Sequence, residues 1–88
     1  MLSLKVAQLG RLTTSIYDFP EAGDVLPMHS HDATTVHITI VARGRFRMHG
    51  DGWAREASAG DVIDWQPNDP HEFVALEPGG RLVNINKA

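Results

Sequence analysis

No stretch of this chain carries apolar residues at helical spacing. Short runs of β-branched, aromatic and aliphatic residues recur instead. Gly, Pro or Asp closes each run, about every 8–12 residues, which is the pattern of an all-β sandwich or barrel. The predicted strands are Leu4 to Leu9, Leu12 to Phe19, Val25 to His31, Val36 to Ala42 and Arg45 to His49. Trp53 to Ala57, Val62 to Trp65, His71 to Leu76 and Arg81 to Ile85 follow. Gly50-Asp51-Gly52 is a strong hairpin signal between two of them. Pro67-Asn68-Asp69-Pro70 forces a tight loop, because each proline fixes its own φ and restrains the residue before it. The expectation is about eight or nine short antiparallel strands in one domain over residues 1–88.

Alternation along strands gives the candidate interior. His29 and His31 are two apart, so on an extended strand they share a face. His37 follows in the most strand-like run, and His71 opens a strand after the proline-rich loop. If His37 points inward, so do Thr39 and Val41; if His71 does, so do Phe73 and Ala75. Phe46 and Met48 lie opposite Arg45 and Arg47 and are candidates for the interior. Asp64 and Glu72 alternate outward. His49 abuts a turn and is expected to be exposed. Trp53 and Trp65 fit either pocket walls or subunit-interface anchors.

Composition narrows the chemistry. The chain has 88 residues and no cysteine, which excludes disulfides, thiolate metal sites and Cys nucleophiles. A metal here would be held by His, Asp or Glu, and imidazole suits Zn, Cu, Fe and Ni rather than Mg or Ca. Net charge is -3. Arg43, Arg45 and Arg47, spaced at two, read as a strand edge or subunit contact rather than a nucleic-acid stripe. No apolar run approaches the roughly 20 residues of a membrane span, and the start lacks a signal-peptide core. A cytoplasmic protein is expected, with no nucleic acid and no membrane as partner.

Two motifs resemble those of the cupin family. The first is Gly23, five residues, His29-x-His31, five residues, His37, six residues, Gly44. The second is Gly60-Asp61 followed by Gln66-Pro67-Asn68-Asp69-Pro70-His71. The resemblance implies a small jelly-roll β-barrel, commonly dimeric, with a metal between the two His and the carboxylate of the first motif and the His of the second. Four positions depart from the pattern. His37 stands where the first motif has glutamate. Gln66, Asn68 and Ala75 stand at the proline, glycine and asparagine positions of the second. Asn for Gly is mild, since Asn tolerates φ > 0. His for Glu is not, because it turns a three-His-one-carboxylate site into a four-His site that keeps the ion's full charge.

The expected cofactor is therefore one divalent transition metal (Fe, Ni, Zn, Cu or Mn) on His29, His31, His37 and His71. His37 has two other roles open to it, donating a hydrogen bond to a metal ligand or acting as acid or base beside the metal. Phe46, Met48, Phe73 and, more weakly, Gln66 are candidates for the substrate pocket; plain core packing is the competing reading for the three apolar ones. The resemblance implies a metal-dependent enzyme on a small oxygen-rich or carboxylated substrate, of dioxygenase, isomerase or sugar-acid lyase type. The alternative is a non-catalytic barrel that holds a metal and a small ligand as a sensor or storage module. A homodimer is expected, since a barrel this small gains stability by covering a sheet face or exchanging its N-terminal strand.

Overall fold

The computed structural model describes residues 1–30 and 36–87. His31, with the four residues after it, lies outside the described residues. Among the described residues there are nine strands: β1 (Ser3–Leu9), β2 (Leu12–Phe19), β3 (Val25–His29), β4 (Val36–Arg43), β5 (Arg45–Gly50), β6 (Trp53–Ser58), β7 (Val62–Asp64), β8 (His71–Ala75) and β9 (Gly80–Lys87). They form two antiparallel sheets, ordered β1-β2-β9-β4-β7 and β3-β8-β5-β6, in a jelly-roll arrangement. Among the described residues no helix is long and apolar enough to cross a membrane.

Local sequence sets the ends of these strands. Leu9 pairs with Leu12 around Gly10-Arg11, and Gly50 with Trp53 around Asp51-Gly52. Each tight turn has a glycine with positive φ, Gly10 at 63° and Gly52 at 79°. β9 starts at Gly80, where no larger residue fits: a Cβ there would stand 2.6 Å from the Phe46 ring.

The two inner faces follow strand alternation. On one sheet His37, Thr39 and Val41 pair with Asn86, Asn84 and Leu82 across β4 and β9. On the other, Phe46 and Met48 of β5 pair with Ala75 and Phe73 of β8. Phe19, Val41, Phe46, Phe73 and Leu82 are buried and close the core between the sheets. Phe46 meets Phe19 edge-to-face at 4.8 Å between ring centroids. Burial of each such side chain is worth roughly 1.5–3 kcal/mol.

Two features break the simple pattern. β3 carries a bulge between Leu26 and His29, so the predicted even run from Val25 to His31 is not a uniform strand. The outermost strand β1 is exposed along its whole length, including Leu4, Val6 and Leu9. The arginine cluster is spread over two strands and mostly paired. Arg43 lies 3.6 Å from Asp18, and Arg45 lies 3.0 Å from Glu56 and 3.5 Å from Glu77.

Candidate functional site

Three of the four nominated histidines meet at one end of the barrel. His29 closes β3, His37 is second in β4, and His71 opens β8. His29 and His71 are cross-strand partners. Ring centroids are 4.4 Å apart for His29–His71, 5.2 Å for His37–His71 and 6.5 Å for His29–His37. His37 and His71 are buried and His29 is half-buried. His31 is not among the described residues.

Hydrogen bonds assign the ring nitrogens. His29 Nδ1 lies 2.8 Å from the Pro27 carbonyl, and His71 Nδ1 lies 2.8 Å from the Asp69 carbonyl. A carbonyl only accepts, so Nδ1 carries the proton in both rings and Nε2 keeps the lone pair in the neutral form. This is the outer hydrogen bond that orients metal-binding imidazoles. The loop behind His71 is held by its own geometry. Asn68, at the motif's glycine position, has φ 61°, and the Asp69 amide donates to the Gln66 carbonyl at 3.2 Å.

The donor chemistry fits a transition metal: three imidazoles, with Nδ1 of His29 and His71 against carbonyls and Nε2 of His37 and His71 shielded from solvent. Among the described residues no three His, Cys, Asp or Glu side chains already have their donor atoms gathered for an ion.

Around the histidines the barrel is polar as well as apolar. The buried polar residues among those described are His37, Thr39, His71 and Asn84. Trp65 stacks on His71, with centroids 3.9 Å apart and planes at 9°. Its Nε1–H donates to Thr39 Oγ1 at 2.9 Å, and that hydroxyl donates to Asn84 Oδ1 at 2.6 Å. Asn86, opposite His37 on β9, has a buried Oδ1 with no hydrogen-bond partner among the described residues. Asn84 and Asn86 were not anticipated from the sequence. The signal was there, in the spacing of two from inward-facing Leu82 along Leu82-Val83-Asn84-Ile85-Asn86.

The other nominated residues take varied places. Phe46, Met48 and Phe73 belong to the hydrophobic core. Phe73 approaches the site, 6.3 Å from His71 between centroids, whereas Phe46 packs against Phe19 at the other end. Gln66 is exposed in the loop after β7. Trp65 is an interior wall, and Trp53 stacks behind it at 5.9 Å. His49 is not free on the surface as expected. It is half-buried, with Nε2 2.9 Å from Glu72 Oε1, because the β5–β8 register sets it opposite Glu72.

A small antiparallel jelly roll with imidazoles converging at one end defines a class of binding barrels. Residues 15–83 match the family model described as a cupin domain, and the chain belongs to the cupin family. It is similar to the solved structure of KdgF from Halomonas sp., with 26% identity and a TM-score of 0.86, covering 98% of this chain and 79% of that one. It is also similar to an RmlC-like cupin protein from Desulfovibrio desulfuricans, with 25% identity and a TM-score of 0.82 over 97% and 81%. A cupin 2 conserved barrel domain protein from Salinispora arenicola shares the fold at 20% identity and a TM-score of 0.84, over 99% and 76%. No curated protein sequence matches this chain.

Proposed function

We propose that this cupin binds one divalent transition metal on His29, His31, His37 and His71. We further propose that it acts as an enzyme on a small oxygen-rich or carboxylated substrate. The observation that carries the reading is the convergence of His29, His37 and His71 from three strands, with Nδ1 of His29 and His71 tied to carbonyls. Bound there, the metal would supply Lewis acidity toward a carbonyl or hydroxy acid.

The protein's own residues do the rest. The carbonyls of Pro27 and Asp69 orient two rings, and Trp65 covers one face of His71. His37 sits beside Asn86, either as a ligand or as the group that takes and returns a proton. Asn86 Oδ1 offers an acceptor to a ligand hydroxyl. Phe73 and Met48 exclude water beneath the site. A second copy of the chain, laid on the exposed Leu4 and Val6 of β1, would complete a homodimer.

The test is metal analysis by mass spectrometry on tag-free protein, for wild type and His37→Ala. Near-stoichiometric Fe, Ni, Zn, Cu or Mn in wild type is expected. Its loss in the variant makes His37 a ligand, and its retention makes His37 a candidate acid or base, or a group that hydrogen-bonds to a ligand. No metal in either protein after reconstitution would overturn the reading and leave a metal-free ligand-binding barrel.

A further inference from the structure

Glu72 lies outside the histidine cluster, yet it is tied to the backbone that carries His29. Leu26 pairs with Phe73 and His29 pairs with His71, so three steps along β3 match two along β8. Plain alternation would put Leu26 and Met28 on the inner face and His29 outside. The extra residue reverses this. Leu26 is buried, Met28 is 45% exposed, and His29 stands with His71 and His37.

A bulge leaves backbone groups outside the ladder, and here each has a specific partner. Pro27 has no N–H to place, and its carbonyl accepts from His29 Nδ1 at 2.8 Å. The Met28 N–H donates to Glu72 Oε2 at 3.1 Å, while Glu72 Oε1 lies 2.9 Å from His49 Nε2. Glu72 thus spans from β5 to the bulge across the outer face of the sheet.

We infer that Glu72 is a positioning residue for the histidine site. By holding the Met28 amide it fixes the bulge that turns His29 inward, and so sets metal affinity without touching the metal. The affinity part rests on the metal-binding reading above; the orientation of His29 does not.

The experiment compares wild type with Glu72→Leu, Glu72→Asp and Glu72→Gln. Glu77→Gln serves as a control that removes another carboxylate paired to an arginine. Zn²⁺ affinity is measured by competition with a chromophoric chelator well below the melting temperature. In metal-free protein, NMR follows Met28 amide exchange and the His29 ring-nitrogen shifts. Glu72→Leu is expected to lose about 10- to 100-fold in Zn²⁺ affinity, the usual cost of removing a supporting group around a metal site. Its Met28 amide should exchange faster, and His29 should lose its Nδ1–H signature. Glu72→Asp, too short to reach, should fall on the same side. Glu72→Gln, which keeps an acceptor oxygen, should recover most of the affinity.

A merely structural role would lower the melting temperature and leave affinity unchanged, as expected of Glu77→Gln. Affinity within about twofold of wild type in both Glu72→Leu and Glu72→Asp would overturn the proposal. So would unchanged Met28 exchange. If wild type binds no Zn²⁺ but the exchange and tautomer changes still appear, the metal reading fails and the positioning of His29 by Glu72 stands.

Discussion

Trp65 lies flat on His71, with ring centroids 3.9 Å apart and planes at 9°. The indole is not free to slide, because its Nε1–H is bonded to Thr39 and Thr39 to Asn84. The plane of a candidate metal ligand is thereby set by a hydrogen-bond chain that starts on the opposite sheet. Thr39 is fully buried and Asn84 nearly so, so water cannot replace either bond.

Thr39→Val keeps the volume of the side chain and removes the hydroxyl. It strands the Trp65 N–H and the Asn84 Oδ1, each costing about 1–3 kcal/mol when left unsatisfied in a core. A loss of at least about 2 kcal/mol in urea-unfolding stability is expected, with a shift in tryptophan emission. Stability within about 0.5 kcal/mol of wild type would mean that the chain of bonds contributes little.

Removing metal and removing ligands should be separable. A ligand bound only to the folded state stabilises it by about 2.7 kcal/mol at a hundred times its Kd. Wild type should therefore melt higher with Zn²⁺ than after chelation. His31→Ala should lower metal content and lose that increment. His71→Ala should lose it too, and should also melt lower than wild type after chelation, because His71 is completely buried and its removal leaves a void. Unchanged metal occupancy in His31→Ala would count against the site as drawn.

Much of this arrangement was legible in the sequence because strand alternation is a fixed property of the backbone. It sent His37, Thr39 and Val41 inward together, and likewise His71 with Phe73 and Ala75, and Phe46 with Met48. The tolerance of Asn for positive φ likewise anticipated Asn68 at 61°. What alternation cannot register is an inserted residue. The bulge at Pro27-Met28 shifts the parity of β3, and it gives Glu72, correctly read as outward, a bond to the bulge. His49 was misjudged for a related reason. A neighbouring turn suggests exposure, but its partner Glu72 is supplied by register with a strand far along the chain. The same distance hid the Thr39–Asn84 bond.

Asp18 gives a pH prediction whose sign is fixed by its partners. Arg81 donates to both carboxylate oxygens, at 2.8 and 3.1 Å, and Arg43 lies 3.6 Å away. The hydrogen bond from Arg81, then the charges of Arg81, Arg43 and Lys5, hold the Asp18 carboxyl below its usual range against the opposing effect of burial. A carboxyl depressed in the folded state adds stability above the unfolded-state pKa of about 3.9, and loses it as pH falls through the folded value. Asp18→Asn should therefore melt below wild type at neutral pH, and the gap should close in acid. The pair is partly exposed and screened, so high salt should narrow the gap as well. A gap that stays constant from neutral to strongly acid pH would show that Asp18 acts through packing rather than charge.

Gly50 links the hairpin to the histidine site through space rather than chemistry. It is the cross-strand partner of both Trp53 and His71. A Cβ built there would stand 2.4 Å from the Pro70 carbonyl, 2.5 Å from Trp53 Nε1 and 2.7 Å from its Cε2. The indole is a partly buried side chain, whereas the Pro70 carbonyl belongs to the backbone immediately before His71. Gly50→Ala must then displace either Trp53, which stacks on Trp65, or the start of β8 itself. Overpacking of this kind costs about 1–3 kcal/mol, and a lower melting temperature of that order is expected. If the strain goes into β8, the Nδ1–H bond from His71 to Asp69 loosens and Zn²⁺ binding weakens with it. If it goes into Trp53, tryptophan emission shifts and Zn²⁺ affinity is kept. Stability, emission and Zn²⁺ affinity all equal to wild type would show that the hairpin and the site are not packed together through Gly50.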